Sequence, residues 1–158
     1  MKKIFPFVTY LLLVFSSMCL AQSLPDYEFS LGGISVKGTA TIDYVKSIYG
    51  EPSLISKDNY SATYRYGSTV TIKTHTFDNE RVFYIETTDN NGFATPSGLA
   101  VGMKKKDMLN LYGSPRSISK DGFNRECFIY GDKYASGGAG MYISINKENT
   151  IVAIKLIN

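Results

Sequence analysis

Few residues of this chain combine the type and the spacing that catalysis needs. His75 is the sole histidine, so no metal site built on two imidazoles can form. A nucleophilic thiol at Cys127 would need a neighbouring cation or a helix N-terminus to lower its pKa, and its predicted strand offers neither. Pairing it with His75 would require two strands of a sheet to bring them together, and two unrelated residues are the simpler expectation. Ser117-x-x-Lys120 has the spacing of a serine acyl-enzyme motif, in which the serine opens a helix and the lysine lies one turn away. Here the pair follows Pro115 in a predicted loop. Asp89-Asn90-Asn91-Gly92 begins like a calcium loop, yet Ala100 stands where a bidentate Glu would close it. Ser136-Gly137-Gly138-Ala139-Gly140 has the glycines of a phosphate cradle, but it is predicted to join strand to strand and so lacks a helix N-terminus. The expectation is a chain with no catalytic residues, no metal and no cofactor; a weak hydrolase using Cys127 is the enzymatic alternative.

The elements that must position the remaining groups begin after a targeting segment. Lys2 and Lys3 precede a run from Phe7 to Phe15 broken only by Thr9, and Cys19-Leu20-Ala21 places small residues where a signal peptidase reads. Cleavage after Ala21 leaves 137 residues (158 − 21) for a periplasmic or secreted protein, enough for one domain or two small ones sharing a core. The apolar run falls short of the about 20 residues a span requires, so no membrane span is expected in the mature chain. A lipoprotein acylated at Cys19 is the alternative, although Met18 stands where such sites want a small residue. Cleavage removes two of the 17 basic residues and none of the 14 acidic ones, for a balance of about +1 (15 − 14). That argues against nucleic acid as partner, which calls for a concentrated basic face. Lys104-Lys105-Lys106, the single run of like charge, reads as a solvated helix start. Only Cys127 survives cleavage, so no internal disulfide can form.

Self-similarity organises the rest. Tyr49-Gly50-Glu51-Pro52 returns as Tyr112-Gly113-Ser114-Pro115 at an offset of 63 (112 − 49), and Ile55-Ser56-Lys57-Asp58 returns as Ile118-Ser119-Lys120-Asp121 at the same offset. Tyr64-Arg65-Tyr66-Gly67 comes back as Phe128-Ile129-Tyr130-Gly131 after one inserted residue. The mature chain is therefore predicted to be one unit written twice: signal peptide 1–21, N-terminal arm 22–32, first unit 33–88, linker 89–97 and second unit 98–158. Ile42, Val45 and Ile48 with Tyr44 and Tyr49 form one apolar helical stripe, capped by Thr39 or Thr41 and ended by Gly50. Lys104 to Tyr112 is the second helix. Alternation predicts strands at 60–66, 70–76 and 81–87, then at 124–130, 141–145 and 150–157. The expected fold class is α+β: two helix–loop–three-stranded antiparallel meanders forming one extended sheet of about six strands, with helices on one face.

A short helix, Tyr-Gly-x-Pro, a polar loop and an aromatic strand ending in Tyr64-Arg65-Tyr66-Gly67 or Phe128-Ile129-Tyr130-Gly131 resembles the repeat of the β-lactamase-inhibitor-protein-like fold. In single copy the same unit is similar to the small lipoprotein of the outer-membrane β-barrel assembly machinery. The resemblance covers about Gly33 to the end. It implies binding of other proteins through the open sheet face and adjoining loops. The inhibitors of that name carry disulfides, which this mature chain cannot form internally.

Taking Val70, Ile72, Phe83, Ile85, Met141, Ile143, Ile145, Ile154 and Leu156 as inward leaves an opposite face of mixed character. The first unit contributes Arg65, Lys73, His75, Tyr84 and Glu86, and the second Arg125, Cys127, Ile129, Tyr142 and Lys155. Eleven tyrosines remain after cleavage (12 less Tyr10), of which Tyr44, Tyr49, Tyr64, Tyr66, Tyr112 and Tyr130 fall on interior stripes. Tyrosine and arginine among scattered apolar groups are what protein-binding centres use. Arg65, Lys73, His75, Tyr84, Glu86, Arg125, Ile129, Tyr142 and Lys155 are thus the expected partner-binding set, and the expected partner is another protein. An accessory of envelope or outer-membrane assembly, lipid-anchored through Cys19, is the structural alternative.

Overall fold

A computed structural model describes residues 23–131 and 138–158. The expected signal peptide and the first two residues of the glycine-rich stretch at 136–140 lie outside the described residues.

The chain is mainly β. Strands β1 (Ser30–Leu31) and β2 (Ile34–Ser35) make a small antiparallel pair ahead of helix α1 (Ile42–Tyr49). Strands β3 (Leu54–Lys57), β4 (Ser61–Tyr66), β5 (Val70–His75) and β6 (Val82–Thr87) follow. Helix α2 (Lys105–Tyr112) then precedes β7 (Ser117–Lys120), β8 (Glu126–Gly131), β9 (Gly140–Ile145) and β10 (Ile151–Ile157). The eight later strands form one antiparallel sheet in the order β3-β4-β5-β6-β10-β9-β8-β7. This overturns the α+β arrangement of two helix-plus-three-strand units in a six-stranded sheet. Residues assigned to loops after Pro52 and Pro115 are strands β3 and β7, and they form the two edges. Among the described residues the α-helices are two, of eight residues each, against a sheet of eight strands.

Local chemistry explains the helix positions. The Thr41 hydroxyl accepts from the Tyr44 N–H at 3.4 Å, and Gly50 ends α1 at φ 78°, a conformation that costs glycine little. At α2 the Asp107 carboxylate accepts from the Lys104 N–H at 3.1 Å, offsetting the lysines crowded at the positive end of the helix. Each helix start is tied to the turn before a central strand. The Ile42 N–H donates to the Glu80 carbonyl and the Lys105 N–H to that of Asn149, at 3.2 and 2.9 Å.

One core lies between the helices and one face of the sheet. Tyr64, Ile72, Ile85, Phe128, Tyr130, Met141, Ile143, Ile154 and Leu156 line it with Val45 and Met108. The α1 stripe is narrower than periodicity predicts: Ile42 and Val45 are buried, while Tyr44 and Ile48 are 47% and 48% exposed. Tyr49 is 37% exposed and stacks on Phe93 at 4.9 Å. The arm joins this core through Phe29 and Leu31, as do Ile34 and Val36 at the start of the first unit, and Phe93 and Thr95 of the expected linker are buried as well. Glu28 is also buried, its carboxylate accepting from the Tyr112 and Ser97 hydroxyls.

Candidate functional site

The face of the sheet away from the core is built by strand alternation, which sends every second side chain outward. Cross-strand pairing aligns Lys155 of β10 with Glu86 of β6, Glu86 with Thr71 of β5, and Thr71 with Arg65 of β4. On the other side Lys155 faces Tyr142 of β9, which faces Ile129 of β8. A second row places Ile157 opposite Tyr84, and Tyr84 opposite Lys73. Arg65, Lys73, Tyr84, Glu86, Ile129, Tyr142 and Lys155 of the expected set therefore share one contiguous surface.

Charge and aromaticity alternate across it. The Lys73 ammonium lies 5.0 Å above the Tyr84 ring centroid and the Lys155 ammonium 4.8 Å above that of Tyr142, both within cation–π range. The Tyr84 hydroxyl donates to Glu86 at 2.8 Å. Burial, with that bond and the Glu86 charge, pushes the Tyr84 phenol well above the ordinary tyrosine range, so it remains a neutral donor. Two depressions open on the face. One of about 510 Å³ is lined by Leu54, Ser56, Thr63, Arg65, Thr71, Lys73, Tyr84 and Glu86. A smaller one of about 120 Å³ lies among Glu86, Asp121, Arg125, Cys127, Tyr142, Ser144 and Lys155.

The remaining two residues of the set stand at the periphery. His75 stacks on Phe83 at 4.2 Å, near the β5–β6 turn. Phe83 was expected inward. A register shift between Lys73 and Thr74 makes it a bulge residue instead, and Val82 takes the buried position. Arg125 precedes β8 and donates through Nε to the Asp121 carboxylate at 2.7 Å, its guanidinium 4.7 Å from the exposed Phe123 ring.

The two catalytic pairings and the would-be calcium loop meet geometric obstacles. Cys127 on β8 and His75 on β5 are separated by β9, β10 and β6, four strand spacings or about 19 Å. Burial raises the Cys127 thiol above its ordinary pKa, outweighing the nearby Lys155 charge. Ser117 and Lys120 lie three apart on a strand, so their side chains leave opposite faces. The Asn91 side chain of the would-be calcium loop accepts from the Thr87 hydroxyl and the Phe93 N–H, which makes it a turn brace.

What sequence reasoning missed is Asp121. It accepts from the backbone N–H groups of Phe123 and Arg125 and from Arg125 Nε. Burial alone would raise its pKa. Those donors and the Ser144 hydroxyl outweigh burial and hold the carboxyl well below the usual range. The recurrence of Asp58 at Asp121 carried the signal: Asp58 likewise accepts from the N–H groups of Tyr60 and Ser61.

No family model matches the chain, and no curated protein matches it. Solved structures are similar to this chain in part. A cysteine-rich secretory protein from Staphylococcus aureus superposes with a TM-score of 0.55 at 11% identity, over 86% of this chain and 47% of that one. An extracellular protein containing an SCP domain, from Bacillus anthracis, gives 0.51 at 12% identity, over 77% of this chain and 46% of the other. A DUF4309 family protein from Bacillus subtilis gives 0.48 at 15% identity, over 79% of this chain and 82% of that one. This chain thus spans about half the length of the first and second of these proteins. No helix among the described residues is long and apolar enough to cross a membrane.

Proposed function

We propose that this chain is an exported, non-catalytic protein-binding module that engages its partner through the open sheet face, in the manner of an inhibitor or scaffold. One observation carries the reading: pairing across β4, β5, β6, β10 and β9 assembles Arg65, Lys73, Tyr84, Glu86, Lys155 and Tyr142 into a single accessible surface. Tyrosine supplies contact area with few rotatable bonds, and arginine is the cation most often found at the energetic centre of an interface. Export rests on the charged start, apolar run and small-residue cleavage site of residues 1–21.

The test is capture of a partner from the envelope and medium of the producing cell, using the native chain and Tyr84→Ser/Tyr142→Ser. Each substitution removes a surface ring at a cost on the order of 1 kcal/mol, about 5 °C in Tm per substitution. The expected outcome is a folded double variant that captures nothing. Retained capture, or wholesale unfolding, refutes the reading. N-terminal sequencing of the exported protein, expected to begin at Gln22, tests the export step.

A further inference from the structure

We infer that the open face takes an extended acidic segment of its partner, with two carboxylates four residues apart and a neutral side chain midway between them. The inference rests on the protein-binding reading above and assigns the chemistry of the partner.

Three cations on the face stand outside the ion pairs. Among the described residues the ion pairs engage Lys37, Lys46, Lys57, Arg81, Lys105 and Arg125. Arg65, Lys73 and Lys155 are in none. The single carboxylate between them, Glu86, is turned to the Tyr84 hydroxyl. The two lysines are held over tyrosine rings, which fixes where their charge is presented.

Spacing sets the pattern that fits. Lys155, Glu86, Thr71 and Arg65 are successive partners on neighbouring strands, three strand steps from end to end. At about 4.8 Å per step, Lys155 and Arg65 lie about 14 Å apart along the row. An extended peptide laid along this row advances about 3.3 Å per residue and returns to the same side every second residue. Positions i and i+4 therefore point the same way about 13 Å apart, one over each cation. Position i+2 falls over Glu86 and Thr71, where a third carboxylate would meet Glu86 across a short gap and a hydroxyl would find an acceptor. Lys73, in the adjacent row, is held over the Tyr84 ring and acts on Asp58, which leaves the two ends of the row to Lys155 and Arg65.

Such a pattern favours a protein over a uniform polyanion. Nucleic acid, polyphosphate or an anionic lipid surface would set negative charge over Glu86 as well as over the cations. The mature chain's balance of about +1 (15 − 14) also gives little long-range attraction for them.

The experiment is fluorescence anisotropy at low salt with a labelled peptide carrying Glu at i and i+4 and Ser at i+2. Binding is expected to weaken about tenfold or more when i+2 is also Glu, and to fall with added salt. Arg65→Glu/Lys155→Glu, checked for folding by circular dichroism, should lose this peptide and gain one with Lys at i and i+4. The inference is overturned if the i+2 Glu peptide, single-stranded DNA or phosphatidylglycerol vesicles bind as well, or if the charge swap has no effect. Absence of peptide binding also overturns it, and partner capture by the tyrosine variant then shows whether the wider reading survives. Capture that still depends on Tyr84 and Tyr142 leaves protein binding in place with a differently charged partner; capture independent of them removes both.

Discussion

The Tyr112 hydroxyl donates to the Glu28 carboxylate at 2.7 Å, joining residues 84 positions apart in the chain. Both are buried, and the Thr95 hydroxyl lies 2.6 Å from the same phenol oxygen. Burial, opposed by the Thr95 contact and reinforced by Glu28, pushes the phenol well above the usual tyrosine range. This small polar network fastens the N-terminal segment to α2. Tyr112→Phe keeps the ring and removes the donor, leaving the Ser97 hydroxyl at 2.6 Å as the remaining partner of the Glu28 carboxylate among the described residues. The expected loss is about 1–3 kcal/mol, read from urea denaturation. An unchanged midpoint would show that the network contributes nothing net.

Acid should unfold the protein through a few identifiable carboxylates. Glu80 is held below its ordinary pKa chiefly by the Lys57 ammonium at 2.6 Å, and its own burial opposes this. Asp58 is lowered by the N–H groups of Tyr60 and Ser61, and Asp121 is lowered further by the donors around it. Groups depressed in the folded state add stability that is fully present above their unfolded pKa of about 4 and is lost as pH falls through the folded values. Tm should therefore stay level for these groups above about pH 5 and decline below about pH 4. Asp121→Asn should cost about 1–3 kcal/mol at neutral pH by removing charge-assisted bonds, and it should flatten the acid limb. A variant whose acid limb matches the native one would show that Asp121 is not among the responsible groups.

Cys127 should behave as a shielded thiol. It is 5% exposed, and burial raises its pKa. Alkylation by iodoacetamide at pH 8 is expected to be slower in the native protein than in urea by on the order of a hundredfold. Comparable rates in the two states would mean an open, reactive thiol and would revive a chemical role for this residue.

How much of this was legible in the sequence depended on whether apolarity and geometry agreed. Where residue type alternated cleanly, as in β4, β5 and the Met141–Ile145 part of β9, both the strand and its faces could be read, and with them the row from Arg65 to Tyr142, although burial follows the alternation fully only in β5. The edge strands β3 and β7 were invisible because all four residues of each are exposed, so no alternation exists to detect. Their omission changed the strand count and the fold class. Phe83 was misassigned because a bulge slips the period by one, and a bulge leaves no trace in composition. The stripe on α1 was overestimated since Tyr44 and Ile48 obey helical spacing but lie beyond what the core covers. Glu28 was unreadable because its partners, Ser97 and Tyr112, are brought in from distant segments.

Both borders of the large sheet carry the same Ile-Ser-Lys-Asp tetrapeptide. The Asp58 N–H bonds to the Ser61 carbonyl and that of Asp121 to the Arg125 carbonyl, at 2.9 and 3.0 Å. By the alternation of antiparallel ladders, the main-chain groups of Ile55 and Lys57, and of Ile118 and Lys120, therefore point away from the sheet. Each border offers an incoming strand two docking residues, and one of the two is a lysine that disfavours stacking beside a like copy. A broad sheet with two open sides would otherwise be a template for fibres. These brief, charged margins disfavour edge-to-edge stacking of copies although neither border is covered by another strand of the sheet.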